Sequence, residues 1–155
     1  MILHNALLLQ KVIKLTRDIF TGVPLLHFNY ITHAQTIAGQ AMRNNWPDFI
    51  IAACWLHGVR YLEKQDVEIL IEQIKEFSPE TAGVLETLSK KENESEQQYY
   101  TRISQSPFAR SVLWLDTLDR LTFEGNHETI QNMLLWLPPL YPSDIILKYH
   151  SDMSR

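Results

Sequence analysis

Residues 48–56 read Asp-Phe-Ile-Ile-Ala-Ala-Cys-Trp-Leu, and every position after Asp48 is apolar. Pro47 stands before this run and His57-Gly58 behind it. Proline suits the first turn of a helix, and a helix that is apolar all round belongs in the middle of a core. The rest of the chain must therefore supply elements that surround residues 48–56. The run is far shorter than the roughly 20 residues needed to cross a membrane.

The flanking sequence offers those elements at helical spacing. Leu7, Leu8, Val12, Leu15, Ile19 and Phe20 mark one face of a first helix, stopped by Gly22 and Pro24. Ile31, Ile37, Ala38 and Ala41 mark a second, with Thr32 as its expected start. Val67, Ile69, Leu70, Ile71, Ile74 and Phe77 give an amphipathic helix, and Ser78-Pro79 caps and restarts the chain. Val84, Leu85 and Leu88 follow, then a polar stretch over 89–98, then Tyr99, Tyr100 and Ile103. Ser106-Pro107 is a second cap signal, leading into Phe108, Val112, Leu113, Leu115, Leu118 and Leu121. Gly125-Asn126 should end that helix, with another through Ile130 to Leu137 and a short one from Ser143. Trp46, Trp55, Trp114 and Trp136 read as core. No strand pattern or internal repeat is visible. The expected fold is all-α, eight or nine helices around one core, with residues 1–155 forming a single domain.

The chain has 155 residues and a formal charge of −4, with lysines and arginines scattered rather than clustered. A nucleic-acid binder would show a basic face, so no nucleic-acid partner is expected. The lone cysteine, Cys54, lies inside the apolar run and cannot form an intramolecular disulfide. With no signal-peptide pattern, the expected home is a reducing cytoplasm. The segment 138–149 is apolar for a terminus and suits packing on its own domain or on a second copy, so a homodimer is an expected partner.

Ligand-capable residues fall on these apolar helices. His57 ends the most apolar one, His33 opens the second, and Asp116 and Asp119 sit three apart, on one face of another. A carboxylate turned toward a core is costly unless it is paired or binds a cation. Two imidazoles and a carboxylate from three helices suit Zn, Mn or Fe. Each residue also has a plainer reading: His57 as a partner for the helix dipole, His33 as a local hydrogen-bonding group, Asp119 paired with a basic neighbour. His4, His27, His127 and His150 read as surface residues.

Tyr30-Ile31-Thr32-His33, Ala52-Ala53-Cys54-Trp55-Leu56-His57-Gly58-Val59, and the series Glu94-Ser95, Tyr99, Arg102-Ile103, Ser106-Pro107, Ala109-Arg110, Val112, Leu115-Asp116 share order and spacing with a known pattern. They resemble the HD superfamily, specifically small metal-dependent phosphohydrolases related to the RelA/SpoT alarmone hydrolase domain. The resemblance is strongest over 15–123. It implies a helical bundle holding one divalent metal, often Mn²⁺, for cleavage of a nucleotide phosphoester. His33 and His57 match the first two ligands and Asp116 the last, with Asp119 as a rival.

Three places depart from that pattern. Gly58 stands where the family has its naming aspartate, and Tyr61 and Leu62 stand where it has paired acids. Glu63 and Asp119 are the carboxylates left as candidate catalytic groups, and Glu63 is displaced by one position. Leu113 and Arg120 replace a lysine and an asparagine of the motif. The expected protein is thus a degenerate HD protein with weak or no hydrolase activity, acting through ligand binding or protein interaction. The alternative is a divergent but active phosphohydrolase. Arg60, Lys90, Lys91 and Arg120 are the candidate cations for a phosphorylated nucleotide-type ligand, or else ordinary solvated charge.

Overall fold

The computed structural model describes residues 5–21 and 29–124, with side chains through Arg120. Its elements are α1 (Ala6–Phe20), α2 (Tyr30–Arg43), α3 (Asp48–Leu56), a 3-10 helix (His57–Tyr61), α4 (Lys64–Lys75), α5 (Pro79–Leu88), α6 (Glu96–Ser104) and α7 (Pro107–Glu124). Among the described residues the class is all-α, with seven α-helices rather than eight or nine. The further helices expected from Ile130 and Ser143 lie outside those residues, as do Gly22, Pro24 and Trp136.

α3 occupies the centre. Ile50 through Leu56 are all buried, and α3 packs against α1, α2, α5 and α7. It does not simply run out at His57 but tightens into the 3-10 helix, in which His57, Gly58 and Val59 stay buried. Buried residues from α1 through α7 join in one hydrophobic cluster around it.

Helix starts follow the side-chain chemistry. Asn5, Asn29 and Ser78 accept from the backbone N–H three residues on, and Ser95 and Gln98 form a reciprocal capping box. The second helix begins at Tyr30, two residues before the expected Thr32, because Asn29 takes the cap and accepts from Thr32 N–H at 3.2 Å. Between α2 and α3, Asn45 adopts a left-handed φ of 58°, a region that Asn tolerates better than most residues. Leu7 is 62% exposed, and Leu9 takes the inward position expected of it. Trp46 and Trp55 are buried and Trp114 is partly buried against the core. No described helix is long and apolar enough to cross a membrane.

Candidate metal centre

Three elements converge where α2, the start of the 3-10 helix and α7 meet. His33 comes from the first turn of α2, His57 from the end of α3, and Asp116 from the middle of α7; each is at most 3% exposed. His33 Nε2 lies 2.7 Å from Asp116 Oδ1 and 3.1 Å from His57 Nε2. His57 Nε2 lies 3.3 Å from the same Asp116 Oδ1. Ligand atoms about 2.0–2.2 Å from one ion stand roughly 2.8–3.5 Å apart at ordinary coordination angles, so the residues fit a metal ion. Among the described residues this is the one His/Cys/Asp/Glu group with that geometry.

The outer hydrogen bonds decide what each imidazole presents inward. His57 Nδ1 donates to the Cys54 carbonyl at 2.7 Å, which leaves its Nε2 lone pair facing the cluster. His33 Nδ1 donates to Asp119 Oδ2 at 2.5 Å and leaves its Nε2 facing the same point. This is the orientation that metal-ligating histidines adopt when a carbonyl or carboxylate holds their far nitrogen. With Asp116 Oδ1, three acceptors then meet. Acceptors cannot satisfy one another, so the centre calls for a cation or a proton. Asp116 Oδ2 has no hydrogen-bond partner among the described residues, and the Arg120 guanidinium stands 4.0 Å from it.

The charges agree with that demand. Burial works against ionisation of Asp116, but the imidazoles of His57 and His33 outweigh it and hold the carboxyl well below its usual range. Burial likewise disfavours a charged His33, yet its hydrogen bonds to Asp116 and Asp119 raise its pKa. Without a metal, a proton on His33 lets both ring nitrogens donate to carboxylates.

Asp116 and Asp119, open alternatives in the sequence, take different places. Asp116 joins the triad and Asp119 braces His33 from behind. Glu63 is exposed at the N-cap of α4 and is not part of the cluster. His4, His27, His127 and His150 lie outside the described residues.

Sequence reasoning missed Tyr30. Its hydroxyl donates to the Trp55 carbonyl at 2.8 Å, accepts from Gly58 N–H at 2.9 Å and lies 3.3 Å from His57 Nδ1. The one available signal was its place in the Tyr-Ile-Thr-His segment, which fixes neither its direction nor its partner.

The candidate cations divide. A cavity of about 700 Å³ opens between the 3-10 helix, α4, α5 and the following loop. Val59, Leu62, Val67 and Ile71 give it an apolar floor, and Arg60, Lys64, Lys90 and Lys91 stand around it with Glu68, Glu86 and Glu92. Arg60 packs over the rings of Tyr61 and Tyr99 at 5.2 and 5.1 Å. Lys90 pairs with Glu96 at 2.9 Å. Arg120 does not line this cavity and sits instead beside Asp116. Cys54 is fully buried, and burial pushes its thiol far up, so it is no nucleophile.

Compared with known proteins, the chain matches no family model, no curated sequence and no solved structure.

Proposed function

We propose that this chain is an HD-type protein that holds one divalent transition metal on His33, His57 and Asp116 and acts by binding a ligand rather than by rapid hydrolysis. The observation that carries the reading is the meeting of His33 Nε2, His57 Nε2 and Asp116 Oδ1 within 2.7–3.3 Å of one another, while the far nitrogen of each imidazole is held by an oxygen acceptor. Two imidazoles and one carboxylate favour Mn²⁺, Fe²⁺ or Zn²⁺ over Ca²⁺ or Mg²⁺, and the family resemblance favours Mn²⁺. When bound, such an ion lowers the pKa of a coordinated water and neutralises phosphate charge.

The chain's own residues argue against fast turnover. Tyr61 and Leu62 offer no carboxylate, Glu63 is exposed at a helix cap, and Asp119 is engaged with His33. A missing general acid or base typically costs about 10²–10⁴-fold in rate. The cavity carrying Arg60 and Lys91 has the size and apolar lining of a small-molecule site, and its cations suit a phosphorylated, nucleotide-type ligand. A cytoplasmic setting and a homodimer belong to the same reading, the first resting on the buried lone Cys54 and the second on the apolar segment 138–149.

The second reading is an active, divergent phosphohydrolase. Catalytic metal sites commonly keep three protein ligands and an open position, and this donor set has three. Calorimetry of the Mn²⁺-loaded protein with guanine nucleotides, run beside product assays, separates the two. Binding heat in the micromolar-to-millimolar range without turnover fits the first reading. Turnover that disappears in His57→Ala establishes the second, and no heat with any nucleotide overturns nucleotide binding.

A further inference from the structure

Gly58 occupies the place next to His57 where a fourth protein ligand would be expected from the resemblance, and its surroundings are filled. A Cβ built at Gly58 would fall 2.7 and 2.9 Å from Tyr30 Cε2 and Cζ and 2.8 Å from Phe20 Cε1. Those rings are not loosely placed. Tyr30 is 3% exposed and stacks on Phe20 with ring centroids 4.1 Å apart. Its ring also lies 5.2 Å from that of His57. The Tyr30 hydroxyl is held at both ends of the bend, by the Trp55 carbonyl and the Gly58 N–H. A side chain at position 58 would therefore meet stacked aromatic carbon, on a ring whose hydroxyl already ties down the turn that carries His57.

From this packing we infer that Tyr30 is a positioning residue, and that with Phe20 it closes the fourth protein-ligand place. The metal centre is thereby limited to His33, His57 and Asp116, with its other coordination positions left to exchangeable water or ligand. The inference rests on the metal-binding reading and deepens it: a centre with three protein ligands presents its ion to an incoming oxygen-donor ligand. The hydroxyl's role is separate from the ring's. The ring excludes a side chain at 58, while the hydroxyl fixes the Trp55–Gly58 bend and with it the direction of the His57 imidazole.

The test uses the full chain, Mn²⁺ alone as probe, and four variants: Gly58→Asp, Gly58→Ala, Tyr30→Phe and the Gly58→Ala/Phe20→Leu pair. Mn²⁺ affinity is titrated, exchangeable waters are counted by water-proton relaxation, and thermal melting of the metal-free forms reports folding. In an octahedral site, the parent should carry about three exchangeable waters. Gly58→Asp should bind no more tightly than the parent. Gly58→Ala should melt lower, with part of the loss recovered when Phe20→Leu makes room. Tyr30→Phe keeps the ring, and should stay folded while Mn²⁺ affinity falls about 10–100-fold, as for other groups that orient a ligand.

A Gly58→Asp protein that binds Mn²⁺ more tightly and loses one water overturns the inference. So does a parent with two waters or fewer, or a folded Tyr30→Phe protein with parental affinity. Gly58→Ala and Gly58→Asp melting with the parent would show that the space is open, and would overturn it as well. A parent that binds no Mn²⁺ overturns the metal reading itself, an outcome distinct from all of these.

Discussion

Two polar networks, one fully buried at His33, His57 and Asp116 and one half-buried at Arg102 and Glu94, are built differently. At the α5–α6 connection, Arg102 Nε and NH2 donate to the two oxygens of Glu94 at 2.8 and 3.0 Å. The same guanidinium donates to the Thr87 and Ser89 carbonyls at 2.5 and 2.8 Å. Tyr99, under Arg102, closes the arrangement by donating to the Leu88 carbonyl at 2.6 Å. One positive charge meets one negative charge, and donors meet acceptors. At the α2–α3–α7 junction, two imidazole nitrogens and a carboxylate oxygen face one another, and Asp116 Oδ2 accepts no hydrogen bond from a described residue. A satisfied network accounts for itself as a clamp on a loop. A junction where two imidazole nitrogens and a carboxylate oxygen converge can share either a proton or a metal ion, and Asp116 Oδ2 has the Arg120 guanidinium 4.0 Å away but no hydrogen bond from a described residue.

Substitutions at the two networks should therefore separate metal binding from stability. The largest effect belongs to Asp116→Asn, which keeps the shape and removes the anion. It should abolish stoichiometric metal binding, measured by titration with Mn²⁺, while the metal-free protein still folds by circular dichroism. Next comes Arg102→Ala, which leaves the half-buried Glu94 with only the Lys91 N–H as a hydrogen-bond donor. Removing the partner of a half-buried, hydrogen-bonded charge costs about 1–3 kcal/mol, to be read from urea unfolding, and metal affinity should not change. If Arg102→Ala weakens metal binding as much as it weakens the fold, the two networks are coupled and the contrast fails.

Asp119→Ala should reduce metal affinity about 10–100-fold, the usual effect of removing the group behind a ligating histidine. Asp119→Asn keeps an acceptor for His33 Nδ1–H and should recover most of it. The smallest effect is a pH dependence of the clamp. Pairing with Arg102 holds the Glu94 carboxyl below its ordinary range. Its contribution to stability is thus complete above the unfolded carboxyl pKa and lost as pH falls through the lower folded value. Acid unfolding curves of parent and Arg102→Ala should converge in that acidic range; curves that stay parallel would deny the clamp its charge.

Much of this was legible in the chain. The apolar run 48–56 required a central helix, and α3 covers Asp48–Leu56. Ser78-Pro79 and Ser106-Pro107 marked starts at α5 and α7, because proline and a hydroxyl cap are local chemistry. His33, His57 and Asp116 stood out as polar groups on apolar helices, and the fold brings them together. Less legible was anything set by direction. Asp116 and Asp119 share a helix face, and only the approach of α2 decides that one meets His33 Nε2 and the other Nδ1. Gly58 read as a missing ligand, and sequence order could not reveal that a Cβ there would meet the rings of Tyr30 and Phe20. The Glu94-Ser95, Tyr99 and Arg102-Ile103 pieces, quoted for their family likeness, have their physical explanation in the loop clamp and the capping box. Arg60 and Lys91 share a cavity that Arg120 does not line, a division that sequence order cannot reveal.

The function proposed for this chain requires a cation at the junction of His33, His57 and Asp116. Its most direct test is elemental analysis of the full chain, purified without chelators and then exposed to excess Mn²⁺. About one transition-metal ion per chain, absent from Asp116→Asn, is the predicted result. A parent chain that stays metal-free under both conditions would contradict it and leave the junction as a protonated histidine–carboxylate cluster.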